Sequence, residues 1–310
     1  MFALLKASFF KLKRDLGLRI TLFIGLALAI ILNLVFLVLD TIGGKGFHSM
    51  ATGQNMLLNS FNPGQNFGIA IPINLAIFTI LEFSQGTIRN KVVVGNSKLK
   101  IYISLLITGL LFTFALLISY VGLSTILGCI FGKGFFPNEI IDGQKTIIKE
   151  TAFSADYIIK YVVSGCLAYI TITSFTVFCG TLTRNIGPSI PLILIPIIFL
   201  TVVPMFTKEL GDGYLANLES AQKALEQGNN NMYDFYMDLA NSFKGAYYLD
   251  QVVRFIDPFY IIGSQSILAS LLGAPAIENK LFIANIISNI AWTSVFGVFG
   301  ALIFCKRDLK

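Results

Sequence analysis

Charge is what this chain has least of. Only 13% of its 310 residues are Asp, Glu, Lys or Arg, against 55% hydrophobic. The 23 basic and 17 acidic residues cluster, leaving uncharged gaps longer than the roughly 20 residues that cross a bilayer as a helix. That distribution excludes an ordinary soluble enzyme, whose surface needs charge along the whole sequence. Histidine is nearly absent as well, with His48 alone. Cys129, Cys166, Cys179 and Cys305 fall in or against apolar runs at spacings that suit neither a zinc site nor a disulfide framework. There is no G-x-x-x-x-G-K-[ST] phosphate loop, no G-x-S-x-G elbow and no His/Glu metal pair. The chain therefore shows no hydrolytic machinery of its own, and no catalytic residue, metal ligand or cofactor is assigned to it.

What is present is a set of apolar runs. Reading from charge to charge gives six spans, at 20–39, 67–83, 101–132, 161–183, 186–207 and 281–305. A seventh run, 258–273, lies between Pro258 and Pro275; at about 15 residues it is too short to cross at 1.5 Å per residue and reads as re-entrant or interfacial. The first run is followed by further spans and by no small-residue cleavage pattern, so it reads as a retained helix rather than a signal peptide. The expected fold is an all-α membrane protein, one domain over 1–310.

Six spans place both termini on one side. Residues 1–19, 84–100, 183–189 and 305–310 hold 13 Lys/Arg in 49 positions, whereas the remaining loops hold 10 in 130. By the positive-inside rule both termini are cytoplasmic. The net charge of +6 then resolves into a basic cytoplasmic face suited to anionic lipid or an acidic partner, with no call for nucleic acid. Residues 1–18 place Phe2, Leu5, Phe9, Leu12 and Leu16 at helical spacing, which describes an amphipathic helix lying in the membrane interface. The outer stretch 208–280 carries two helical stripes, Leu215, Leu218, Ala221, Gln222 and Leu225, then Met232, Phe235, Tyr236, Leu239 and Phe243. The turn-rich segment 228–231 separates them, so the stretch reads as a helical hairpin ahead of the re-entrant run.

Ion-coupled transporters place ionisable groups deep in their helices. Here the last four spans carry none, and the only acid inside one of the six runs is Glu82. Glu82 opens the most informative stretch, the loop 84–100. Gly86 permits a sharp turn, Thr87 is a fair N-cap for a short helix over 88–94, and Gly95, Asn96 and Ser97 end it. Arg89, Lys91, Lys98 and Lys100 hold the loop at the basic face. Such a helix has the geometry to pass motion from a soluble motor into the membrane, although any cytoplasmic loop also needs a turn and positive charge. The expected partner for Glu82 is Arg89, brought round by the turn; the alternative is that Glu82 reaches water among the head groups.

The run Glu82-x-x-x-Gly86-Thr87-Ile88-Arg89-Asn90-Lys91, with Gly95-x-Ser97-Lys98 and Ile101-Tyr102 after it, resembles the loop between the second and third helices in permease subunits of the ABC type-2 exporter family, notably the bacitracin-resistance-like branch. The basic amphipathic N-terminal helix and the six-span topology are similar too. The resemblance implies a permease without its own ATPase, acting as a dimer beside two separate nucleotide-binding subunits that hold ATP and Mg. In that family this loop contains the helix that docks on the ATPase, by position 87–94 here. A re-entrant piece before the last helix is also typical. The outer loop is longer than many members have.

Thr183, Arg184 and Asn185 follow Gly180-Thr181-Leu182 in a second corner that echoes Gly86-Thr87-Ile88-Arg89-Asn90 with one inserted residue. It suits either a minor second ATPase contact or simply a tight turn. The fifth span carries Pro188, Pro191, Pro196 and Pro204, which remove helix hydrogen bonds and make it a candidate gate, with Pro188 suited to starting the helix. The sixth span repeats Asn285, Asn289, Thr293 and Gly297 at intervals of four. This stripe fits either a pathway lining or helix-to-helix hydrogen bonding, the commoner use. The functional expectation is an ATP-driven exporter subunit for an amphipathic or hydrophobic substrate, such as a peptide, lantibiotic or lipid-like compound, in a bacterial plasma membrane. The alternative is an ATP-independent channel or ligand-sensing membrane protein.

Overall fold

The computed structural model describes residues 2–14, 16–42, 51–61, 67–132, 134–136, 138–141, 144–147, 153–183, 186–263 and 277–306. In chain order the elements are α1 (Phe2–Arg14), α2 (Leu16–Ile42), α3 (Gly53–Phe61), α4 (Phe67–Ser84), α5 (Thr87–Val93), α6 (Lys98–Phe131), β1 (Asn138–Ile141), β2 (Gln144–Ile147), α7 (Ala155–Leu182), α8 (Ile186–Glu226), α9 (Asn230–Ile256), α10 (Tyr260–Gly263) and α11 (Asn279–Lys306). The described residues are thus almost wholly helical, the exception being the short antiparallel pair of β1 with β2.

Five of these helices, α2, α6, α7, α8 and α11, are long and apolar enough to cross a membrane. The pair α4 and α5, bent by 51°, makes a sixth when taken together. The chain is a multi-pass membrane protein by that measure. More than half of the apolar stretch of α6 and of α7 is buried in the bundle, while α2, α8 and α11 bury less than a third of theirs. The bundle therefore has an inner layer of α6 and α7, joined by α4 through Ile71, Leu75, Ala76 and Ile80. The outer helices turn apolar side chains to the surroundings, the arrangement expected when the solvent is lipid.

Two features of the ends were not legible in the sequence. α3 is a short, almost wholly buried helix packed against α6 and α7. Its first amides are satisfied by Gly134 O at 3.2 Å and Phe135 O at 2.9 Å, so its N-terminus is not left unpaired. A Cβ at Gly132 would lie 2.5 Å from Ala51 O, and one at Gly128 2.6 Å from a Met56 side-chain carbon. The glycines four apart on α6 are what let this backbone approach so closely. On α1 the buried face is Leu4, Ser8 and Leu12, while Phe9 and Phe10 are exposed; Leu16 is exposed too but opens α2. The expected helix over 1–18, with Phe2, Leu5, Phe9, Leu12 and Leu16 on one apolar face, is thus corrected: α1 ends at Arg14, Leu16 belongs to α2, and the bundle covers Leu12 while Phe9 stays exposed.

The expected helical hairpin forms, but not through the expected stripes: Ala221 is buried, whereas Leu215, Gln222, Leu225, Met232, Phe235 and Leu239 are exposed. α8 and α9 pack on each other more extensively than any other pair, about the left-handed Gly228, with the Asn229 side chain capping α9 through Met232 N. The fifth span is longer than expected: α8 continues for 41 residues, about 60 Å, through Pro191, Pro196 and Pro204 and on into the first arm. Of the re-entrant run, Pro258 to Gly263 are described, with α10 as one short turn; 264–276 lie outside the described residues.

Candidate functional site

Glu82 sits one turn from the end of α4 and is fully buried. Burying a carboxylate alone is costly enough that it must be paired. Here it is paired twice: Lys11 Nζ of α1 donates to Oε1 at 2.8 Å and Lys91 Nζ of α5 donates to Oε2 at 2.7 Å. Lys11 also donates to Gln85 Oε1 at 3.1 Å, and Lys91 lies 3.4 Å from Ser8 Oγ. One carboxylate therefore fastens the N-terminal helix to the loop helix at the end of α4.

Arg89 is not part of this clamp and is exposed, which corrects the expected pairing. Two residues apart on one helix, Arg89 and Lys91 point to nearly opposite sides, so only one of them can reach Glu82. Gly86, not Thr87, is the N-cap, with φ 65° and no side-chain cap bond, and its carbonyl accepts from Asn90 N at 3.0 Å. From that start, Ile88 and Lys91 fall three apart on the inward face, where Ile88 is buried. Arg89 and Asn90 fall on the outward one.

The helix ends at Val93, one residue before the expected limit. Asn96 N bonds Lys91 O at 3.2 Å and Gly95 N bonds Val92 O at 2.9 Å, the paired bonds of a Schellman ending, with Gly95 left-handed at φ 92°. Ser97 then caps α6 by accepting from Lys100 N. The outcome is a short helix closed at both ends, with Arg89, Asn90, Val93 (78% exposed) and Val94 (80% exposed) outward. Lys98 Nζ donates to Cys305 O at 3.1 Å, which satisfies a carbonyl in the last turn of α11. The Phe304 ring lies 5.8 Å from both Phe83 and Tyr102. α1, α4, α5, α6 and α11 thus meet at one end of the bundle.

The second corner lies at that end too, since a Cβ at Gly180 would meet Thr79 of α4 at 3.1 Å. Thr183 ends α7 and shares a hydrogen bond with Ser189 Oγ; Arg184 and Asn185 lie outside the described residues. Pro188 stands in the first turn of α8 and is exposed, as is Pro191, whereas Pro196 is half-buried.

The sixth-span stripe holds backbone. Asn285 Nδ2 and Asn289 Nδ2 both donate to Pro258 O, at 3.1 and 2.9 Å. Ser288 Oγ and Trp292 Nε1 donate to Ile256 O at 2.6 and 3.0 Å. The Asn289 carbonyl accepts from Thr171 Oγ1 at 2.8 Å, and Thr171 Oγ1 is 3.1 Å from Thr293 Oγ1. The residues read as pathway or packing are engaged in packing: they occupy carbonyls at the C-terminal end of α9 that no helix bond would satisfy. Ser288 and Trp292 were missed although they follow Asn285 by three and seven, on the same face. Nearby, the buried Asp250 pairs with Arg254 and accepts from Tyr260 OH at 2.9 Å, joining α9 to α10.

Comparison with protein-family models, curated proteins and solved structures finds no match to this chain.

Proposed function

We propose that the chain is the membrane-spanning permease of an ATP-driven exporter of the ABC type-2 kind. Separate ATPase subunits would bind ATP and Mg, and a second permease subunit, the same or homologous, would complete the dimer. The observation that supports this reading is the mounting of α5. Its inner face is fixed by Ile88 and by Lys91 on Glu82, and its outer face offers Arg89, Asn90, Val93 and Val94 unopposed by any other described element. A short helix pinned on one side and open on the other carries a push from outside into α4 and α1 without dissipating it in local bending. On this reading the basic end faces the cytoplasm of a bacterial cell, the hairpin of α8 and α9 lies outside, and the substrate is amphipathic or hydrophobic. Retrieval of an ATPase with the tagged chain, lost when the outer face of α5 is altered, tests it.

The unbroken course of α8 from the bundle into the hairpin favours a second reading, a ligand-sensing membrane protein, because a ligand on the outer arms would act directly on a span. Full function without any ATPase would favour that one.

A further inference from the structure

We infer that the flank of the bundle between α8 and α11 is a binding site for a hydrocarbon chain. A cavity of about 270 Å³ lies there, with α7 behind it and Phe259 across one side. Its walls include Phe175, Leu200, Phe259, Trp292 and Phe296, and Thr171 is the one residue with a hydroxyl among them. Among the described residues, no ionisable side chain lines it. Both polar side chains in the wall are already engaged, Thr171 with Asn289 and Thr293, and the Trp292 indole N–H with Ile256 O. An occupant that needs hydrogen bonds would find no partner, and water is disfavoured for the same reason. Apolar cavities of about 150 Å³ stay dry and take up benzene or xenon, and this one is larger.

Left empty, it would forfeit dispersion contacts along four aromatic rings. The rings do not close it by turning inward, because they hold one another. Trp292 stacks on Phe296 at 5.4 Å between centroids, and Phe296 lies against Phe175 at 4.9 Å. Ile172, Ile197 and Phe259 in its walls are buried, while Leu200, Trp292 and Phe296 are half-buried. The mouth therefore opens sideways, towards the medium in which the apolar outer helices sit, and the matching occupant is an acyl chain entering from the bilayer. The inference needs only the membrane setting and does not depend on the exporter reading. The chain comes either from a two-chain membrane lipid or from a single-chain amphiphile.

Trp292 is the only tryptophan in the protein, so the site carries its own reporter. The full chain is placed in nanodiscs of unbrominated phospholipid, and its fluorescence is followed as dibrominated stearate, or separately a phospholipid with brominated acyl chains, is added. The proposal expects quenching that saturates at low mole fraction with at least one of the two probes and is reversed by excess of the same compound without bromine. Leu200→Phe, which narrows the mouth, should weaken the apparent affinity at least threefold. Saturation with the phospholipid alone assigns the site to membrane lipid; saturation with stearate assigns it to a single-chain amphiphile. Quenching that rises in proportion to bromine content, unreversed by the unbrominated compound and unchanged in Leu200→Phe, would overturn the proposal, since Trp292 would then be sampling only the surrounding bilayer.

Discussion

Lys11 and Lys91 share one carboxylate, each holding a different oxygen of Glu82 at under 3 Å. The two lysines lie on separate helices, so the arrangement converts a buried charge, ordinarily a liability, into the joint between α1, α4 and α5. Loss of either lysine leaves Glu82 with one cation, and loss of both leaves it buried and unpaired. Removing one partner of a fully buried pair costs about 3–5 kcal/mol. Lys11 is 31% exposed, so the single substitution Lys11→Gln should cost less than Lys91→Gln, on the order of 1 kcal/mol after solvent screening. The double variant should be destabilised by more than the sum, and Glu82→Gln should restore part of that loss. Thermal unfolding of the purified variants in one detergent measures all four corners; strictly additive losses would mean that the lysines act separately.

Arg89 supplies the control for that cycle. Because it faces away from Glu82, Arg89→Gln combined with Glu82→Gln should give additive effects on unfolding temperature. A coupling above about 0.5 kcal/mol would restore the pairing read from the sequence.

Gly86 and Gly95 carry positive φ with nothing within 4 Å of the position a Cβ would take. Replacing either therefore costs backbone strain alone, about 1–2 kcal/mol for a β-branched residue. Gly86→Val should destabilise the loop more than Gly86→Asn, since asparagine tolerates the left-handed region. Amide hydrogen exchange over 87–97 reads the difference, and equal protection in both variants would contradict it.

Five of the spans were legible because uncharged runs of membrane length have few other uses, whereas 67–83 is counted as a span only when α5 is added across the bend; the hairpin was legible because Gly228 and Asn229 interrupt two helical segments. The clamp was only half legible. Glu82 stood out as the one acid inside an apolar run, but its partners depend on which face α5 turns towards α4. Arg89 and Lys91 lie about 200° apart on one helix, so only one of them can face Glu82, and the direction in which α5 leaves the left-handed Gly86 makes that one Lys91. Lys11 gave no local signal, since its role appears only when α1 docks with Leu4, Ser8 and Leu12 inward. α3 was invisible for a similar reason: its burial is set by Gly128 and Gly132 of α6, far along the chain.

Asn285 and Asn289 converge on a single acceptor, Pro258 O. Either Asn→Leu change leaves the other donor in place and should be mild. The double change leaves a buried carbonyl unsatisfied, at about 1–3 kcal/mol. Limited proteolysis near residues 256–260 should show cleavage in the double variant and little in either single one. Equal cleavage in all three would mean that the asparagines do not seat this turn.

Sidedness is tested by labelling. A cysteine at Asn230, in a background lacking Cys129, Cys166, Cys179 and Cys305, should react with an impermeant maleimide on intact cells. Reaction only after permeabilisation would reverse the proposed orientation.

In the proposed exporter, α5, clamped by Lys91 and Glu82, docks a separate ATPase through its outer face. The most direct measurement is recovery of ATPase with the tagged chain from its native membrane, comparing the unaltered protein with Arg89→Glu/Val94→Glu. Both changes lie on the exposed face and leave Glu82, Lys91 and Lys11 in place. An ATPase should copurify with the unaltered chain, and its recovery should fall at least tenfold in the double variant, with the unfolding temperature of the chain unchanged. Equal recovery from both, or no ATPase with either, would contradict that docking.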